Sequence, residues 1–87
     1  MYLAKVVGNV VSTKKKEELT GYKLMIVTIV GSDDEKWEKR IVAVDLVGAG
    51  RDEYVLVSCG SSARAALKHP ESPIDAAIVG IIDSFAE

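Results

Sequence analysis

The chain has 87 residues, 48% hydrophobic and 28% charged, with a net charge of −2 and a pI of about 5.4. That length predicts one domain, residues 1–87, and the acidic balance gives no electrostatic footprint for a nucleic-acid or membrane partner. A single cysteine excludes an intrachain disulfide and suits a reducing compartment. No apolar run reaches the ~18 residues of a spanning helix, and the start lacks a charged segment followed by a long apolar one, so the expectation is a soluble cytoplasmic protein.

Residues 2–11 (YLAKVVGNVV) predict a half-buried strand. Strict alternation places Leu3, Lys5, Val7, Asn9 and Val11 on one face and Tyr2, Ala4, Val6, Gly8 and Val10 on the other, with Gly8 marking a bend or close backbone approach. Residues 12–21 form a charged loop. Residues 22–30 (YKLMIVTIV) form the second strand, 31–39 a polar hairpin loop, 40–47 (RIVAVDLV) the third strand and 48–50 (GAG) a turn. Residues 54–59 (YVLVSC) are the fourth strand. Residues 61–68 suit a short helix that Pro70 stops, and 75–83 (DAAIVGIID) are the last strand. Five strands and one short helix predict an all-β protein, a small OB-like barrel.

The alternation carries further information. In the second strand Met25, Val27 and Ile29 oppose Ile26, Thr28 and Val30. In the last strand Ala76, Ile78 and Ile82 oppose Ala77, Val79 and Ile81. Both faces are largely apolar, whereas an antiparallel strand with one solvated face should alternate. One short helix covers little of a barrel's exterior, so the remaining apolar surface calls for a protein partner, and identical copies in a closed ring are the economical one.

Residues 57–70 (VSCGSSARAALKHP) hold the one cysteine, Cys59, and the one histidine, His69. A nucleophile elbow needs G-x-S-x-G. Here Arg64 stands in place of the second glycine, and the histidine precedes Asp75 and Asp83, which is the wrong order. A Cys59–His69 dyad would span the helix, too far for proton transfer. One His and one Cys cannot supply the usual metal ligand set, and Asp33, Asp34 and Glu35 read as a solvated turn. No catalytic residue, metal or cofactor is therefore predicted. Ser61 or Ser62 is expected to cap the helix. Arg64, placed in the first helical turn where the dipole disfavours a cation, is either an ordinary solvated residue or one offset by a specific carboxylate or carbonyl partner, which in an oligomer can belong to the neighbouring copy. The alternative function is an OB-fold reader of single-stranded nucleic acid. It is disfavoured by dispersed aromatics (Tyr2, Tyr22, Trp37, Tyr54, Phe85) and by the acidic balance, since the lysines at 14–16 are followed at once by Glu17 and Glu18.

Three stretches carry a resemblance: AKVVGNVVSTKKKEELTGYKLMIV at 4–27, VAVDLVGAGRDEYVLVSCGSSAR at 42–64 and PIDAAIVGIIDSF at 73–85. Together they resemble the EutN/CcmL family, the pentameric vertex proteins of bacterial microcompartment shells. The family commonly has glycine where this chain has Asp52. The resemblance implies an OB-like barrel in a homopentamer that closes shell corners beside hexameric facet tiles in the bacterial cytoplasm, without enzyme activity. It places the GAG turn (Gly48, Gly50) and the GSSAR turn (Gly60, Ser61, Ser62, Arg64) near a subunit contact. Ile78 and Val79 represent the two faces of the last strand, and the pattern leaves open which of them points inward.

Overall fold

The computed structural model describes residues 1–11, 17–19, 21–30, 40–67 and 73–84. Residues 31–39, expected to be a hairpin loop and holding Asp33, Asp34, Glu35 and Trp37, lie outside them, as do the lysines at 14–16, Lys68, His69, Pro70 and Phe85.

Five strands form: β1 (Tyr2–Val10), β2 (Lys23–Ile29), β3 (Arg40–Asp45), β4 (Tyr54–Cys59) and β5 (Ala76–Ile82). One helix, α1 (Gly60–Leu67), links β4 to β5, and a 3-10 turn at Glu17–Leu19 precedes β2. The order β1-β2-β3-β5-β4 closes into a barrel because β4 also pairs with β1. Every pairing is antiparallel except β3 with β5, where Val44 lies opposite Ala77 and Asp45 opposite Ile78. This is the small five-stranded barrel that the pattern predicted.

The barrel interior is filled by Ala4, Val6, Met25, Val27, Ala43, Val55, Val57, Ala76 and Ile78, with Ala49 at one end. Alanine contributed by three strands fits the narrow bore of a five-stranded barrel, which large side chains on every strand would overfill. A second cluster lies outside the barrel. There α1 lays Ala63 and Leu67, one helical turn apart, over Val44 and Ala77, together with Ile74. Leu19, Tyr22, Leu24 and Val79 pack around its rim.

Two bulges depart from strict alternation. On β1, Val6 lies opposite Val27 but Gly8 lies opposite Ile26, so Val7 is an extra residue. On β5, Ile78 lies opposite Val57 and Gly80 opposite Leu56, so Val79 is extra. An inserted residue reverses the facing of everything after it. Ile81, not Ile82, therefore packs on the barrel core beside Ala76 and Ile78, and Gly8 and Val10 turn to the face opposite Ala4 and Val6. The expected face assignments for both strands are corrected accordingly beyond the bulge. The β2 assignment holds, with Met25 and Val27 buried and Ile29 packed against the same cluster.

Ile78 is fully buried inside the barrel. It is thus a core residue and not one that a neighbouring subunit could touch, which corrects its place among the candidate contacts. Ile78→Ala is expected to cost about 2–5 kcal/mol, and Ile78→Lys to prevent folding because it buries an unpaired ammonium. Circular dichroism melts check both; a lysine variant that melts like the wild type would move this side chain out of the core.

Candidate subunit interface

The first motif turn follows β3. The Asp45 carboxylate closes it: Oδ1 accepts the N–H groups of Val47 and Gly48, each at 3.0 Å. Gly48 takes a φ of 81°, a left-handed conformation that costs other residues a Cβ clash. Ala49 then tucks into the barrel end. Next comes a β-turn, with the Glu53 N–H donating to the Gly50 carbonyl at 3.2 Å and the Gly50 N–H donating to Glu53 Oε1 at 2.6 Å. Its third residue, Asp52, has a φ of 70°, the position where a type II turn wants glycine. That conformation aims the Asp52 N–H at the Val6 carbonyl, 2.8 Å away, while the Val6 N–H donates to the Glu53 carbonyl at 2.9 Å. The turn is thereby stitched to β1 beside its bulge.

The second motif turn follows β4. Gly60 has a φ of 61°, and its N–H donates to the Asp75 carbonyl at 2.7 Å. This bond ties the end of β4 to the start of β5 across the length of the helix. Because α1 begins at Gly60, Ser61 and Ser62 fall inside its first turn, exposed, rather than ahead of it as a capping residue would. Arg64 lies in the last turn, not the first as the sequence suggested, so the helix dipole does not oppose its charge. It is half-buried, and its Nη1 donates to the Ile74 carbonyl at 3.4 Å. Of the alternatives open for Arg64, the structure gives it a carbonyl partner within the same chain.

The candidate residues do not converge on one spot. The Gly48–Gly50 turn leads into β4 and the Gly60–Arg64 segment leaves it, so the six residues of β4 separate them. Cys59 is half-buried at the second of these ends, and His69, with which no dyad is expected, lies outside the described residues. What the candidate set misses is the barrel exterior. Val42 is 49% exposed, Tyr54 38% and Leu56 37%, all on outward faces of β3 and β4, and Val30, Leu46 and Val47 are exposed as well. Period-2 reading pointed to such an apolar exterior without locating it on β3 and β4.

This architecture and sequence have close relatives. A family model described as ethanolamine utilisation protein EutN/carboxysome matches residues 1–83. The shell vertex protein GrpN of Rhodospirillum rubrum is 51% identical over 84 residues, 97% of this chain and 94% of its own length. The carboxysome shell vertex protein CcmL of Thermosynechococcus vestitus is 49% identical over 86 residues, 99% of this chain and 87% of its own. Among solved structures, Nostoc CcmL superposes with a TM-score of 0.85 at 48% identity, covering 98% of this chain and 92% of that one. The pentameric GrpN structure gives a TM-score of 0.81 at 48% identity, covering 100% and 98%. The chain belongs to the EutN/CcmL family. It is a structural shell vertex protein and not an enzyme, and nothing in these relationships favours the nucleic-acid alternative.

Family membership gives the Asp52 geometry its meaning. The place where EutN/CcmL chains commonly carry glycine is here a left-handed, non-glycine residue. Aspartate tolerates that region better than most side chains but not freely. Asp52→Gly is expected to stabilise the fold by ~0.5–1 kcal/mol, a rise of a few degrees in Tm, and Asp52→Val to cost ~1–2 kcal/mol. Thermal melts at fixed protein concentration check the pair; an order of stability with Val above Asp would contradict the left-handed conformation. Arg64→Ala should cost ~1 kcal/mol through the protomer itself, by loss of the bond to the Ile74 carbonyl, measurable by urea denaturation.

Proposed function

We propose that this chain assembles into a closed homopentamer that plugs the corners of a bacterial microcompartment shell, meeting hexameric facet tiles there, within the bacterial cytoplasm. The observation that carries this reading is similarity along nearly the full chain to vertex proteins of different microcompartments. CcmL, GrpN and PduN relatives are each 48–51% identical to it. What those relatives share by name is the vertex, so the vertex role is what the similarity supports, whatever each shell encloses.

The physical reading agrees with this. A structural plug needs a stable barrel and sticky outer faces, and the exterior of this one is unusually apolar for a solvated sheet. Of the residues expected at the subunit contact, Gly48, Ser61 and Ser62 are exposed and Gly50, Gly60, Arg64 and Val79 are half-buried. We propose them as rim positions whose chief task is backbone geometry.

Native mass spectrometry of the purified chain is expected to give a mass of five protomers. A stable monomer at micromolar concentration would defeat this reading.

A further inference from the structure

The reading of the chain as a ring leaves open which surfaces meet, and the sheet register supplies an answer. Cross-strand neighbours share a face of the sheet, so the outward side chains can be followed strand by strand. On β4, Leu56 lies opposite Leu3 of β1 on one side and Gly80 of β5 on the other, and Tyr54 lies opposite Lys5 and Ile82. The Leu56 side chain lies over Gly80, its Cδ1 within van der Waals reach of where a Cβ would stand. Leu3, Tyr54, Leu56 and Ile82 thus form one outward apolar surface centred on β4.

A second surface lies elsewhere on the exterior. Ile26 of β2 is opposite Val42 of β3 and opposite Gly8 of β1. Val42 is 49% exposed, although it lies in the middle of β3. Between the two surfaces runs a polar row, Lys5–Thr28–Arg40, set by the same register. The Lys5 ammonium lies over the Tyr54 ring, 5.9 Å from its centroid, so its charge caps the Tyr54 end of the first surface and leaves Leu3 and Leu56 as its apolar centre.

Two distinct apolar surfaces are what a closed ring requires. A self-complementary surface makes a two-fold dimer and stops, whereas a cyclic oligomer joins one surface of each copy to a different surface of the next. Aromatic and aliphatic anchors surrounded by polar groups are the usual anatomy of such contacts. Resting on the pentameric reading above, and on pentameric structures of relatives at 48% and 34% identity that span this whole chain, we infer that the occupant is a second copy. The β4 surface (Leu3, Tyr54, Leu56) of one protomer packs on the β2–β3 surface (Ile26, Val42) of the next.

The test uses two substitutions at exposed positions, Leu56→Lys and Val42→Lys, each removing one surface and leaving the other intact. Each variant alone should keep its circular dichroism spectrum and lose the pentameric mass. Mixed in equal amounts, the two should form a 1:1 heterodimer by native mass spectrometry, because one intact β4 surface then meets one intact β2–β3 surface. If either lysine variant fails to fold, Leu56→Ser and Val42→Ser replace them. Each should then raise the concentration at which the ring dissociates by roughly tenfold or more. Variants that remain pentameric at wild-type concentrations would overturn this pairing of surfaces while leaving the pentamer intact. Variants that dissociate but never combine would overturn it too, since the contact would not join these two surfaces. A monomeric wild type would instead remove the pentameric reading itself.

Discussion

Closure of the sheet rests on a short parallel contact, Val44 against Ala77 and Asp45 against Ile78. Every other pairing in the barrel is antiparallel and at least four residue pairs long. A parallel seam of two pairs offers little backbone stabilisation by itself. The helix makes up the difference. Ala63 and Leu67 pack directly on Val44 and Ala77, the outward residues of that seam, while Ile78 fills the barrel on its inner side. The Leu46 N–H adds a bond to the Ile78 carbonyl at 3.2 Å. Seam, helix and the two motif turns are therefore tied together by packing and hydrogen bonds at one place in the barrel.

This arrangement explains why the GAG and GSSAR segments have the residues they do. The first must leave β3 immediately after the seam, turn back and hand the chain to β4 beside β1. It does so through Gly48, the Asp45 carboxylate and the left-handed Asp52. The second must turn from β4 into a helix that crosses back over the seam. It does so through Gly60, anchored on the Asp75 carbonyl, with Arg64 reaching the Ile74 carbonyl further along. These are demands of backbone geometry. The described part of the reactive-looking run, residues 57–67, is a strand end, a turn and a helix, and it needs no chemistry to account for it.

Much of this fold was legible from residue pattern. Each strand and the helix lie within two residues of where periodicity and turn chemistry placed them, because β-branched runs bounded by glycine and charge are strong local signals. The bulges at Val7 and Val79 were not legible. A bulge is a property of two strands in register, and valine carries no local mark of it; Gly8 and Gly80 stand next to the two bulges, but a lone glycine reads equally as a bend. From those two positions onward the expected grouping of faces was reversed, which is why Ile81 and not Ile82 shares the inner face with Ile78. Arg64 was misplaced for a smaller reason. Taking Ser61 as the start of the helix moved the first turn along by one residue, and in eight residues that shift separates one end of the dipole from the other.

The candidate contact residues show a different kind of limit. Motif residues stand out in a sequence because they are unusual, and in this barrel they are unusual for the sake of the backbone. The side chains that leave apolar area in solvent are ordinary ones, Val42, Tyr54 and Leu56, in strands that look like any other. Nothing local distinguishes an outward leucine on a covered face from one on an exposed face. Only the register does so, by showing that Leu56 has glycine on one flank and Leu3 on the other while Lys5 and Arg40 stand in a separate row. A shell plug has to hold its shape and also adhere to its neighbours. In this chain the conspicuous residues perform the first task, and the plain apolar exterior is left for the second.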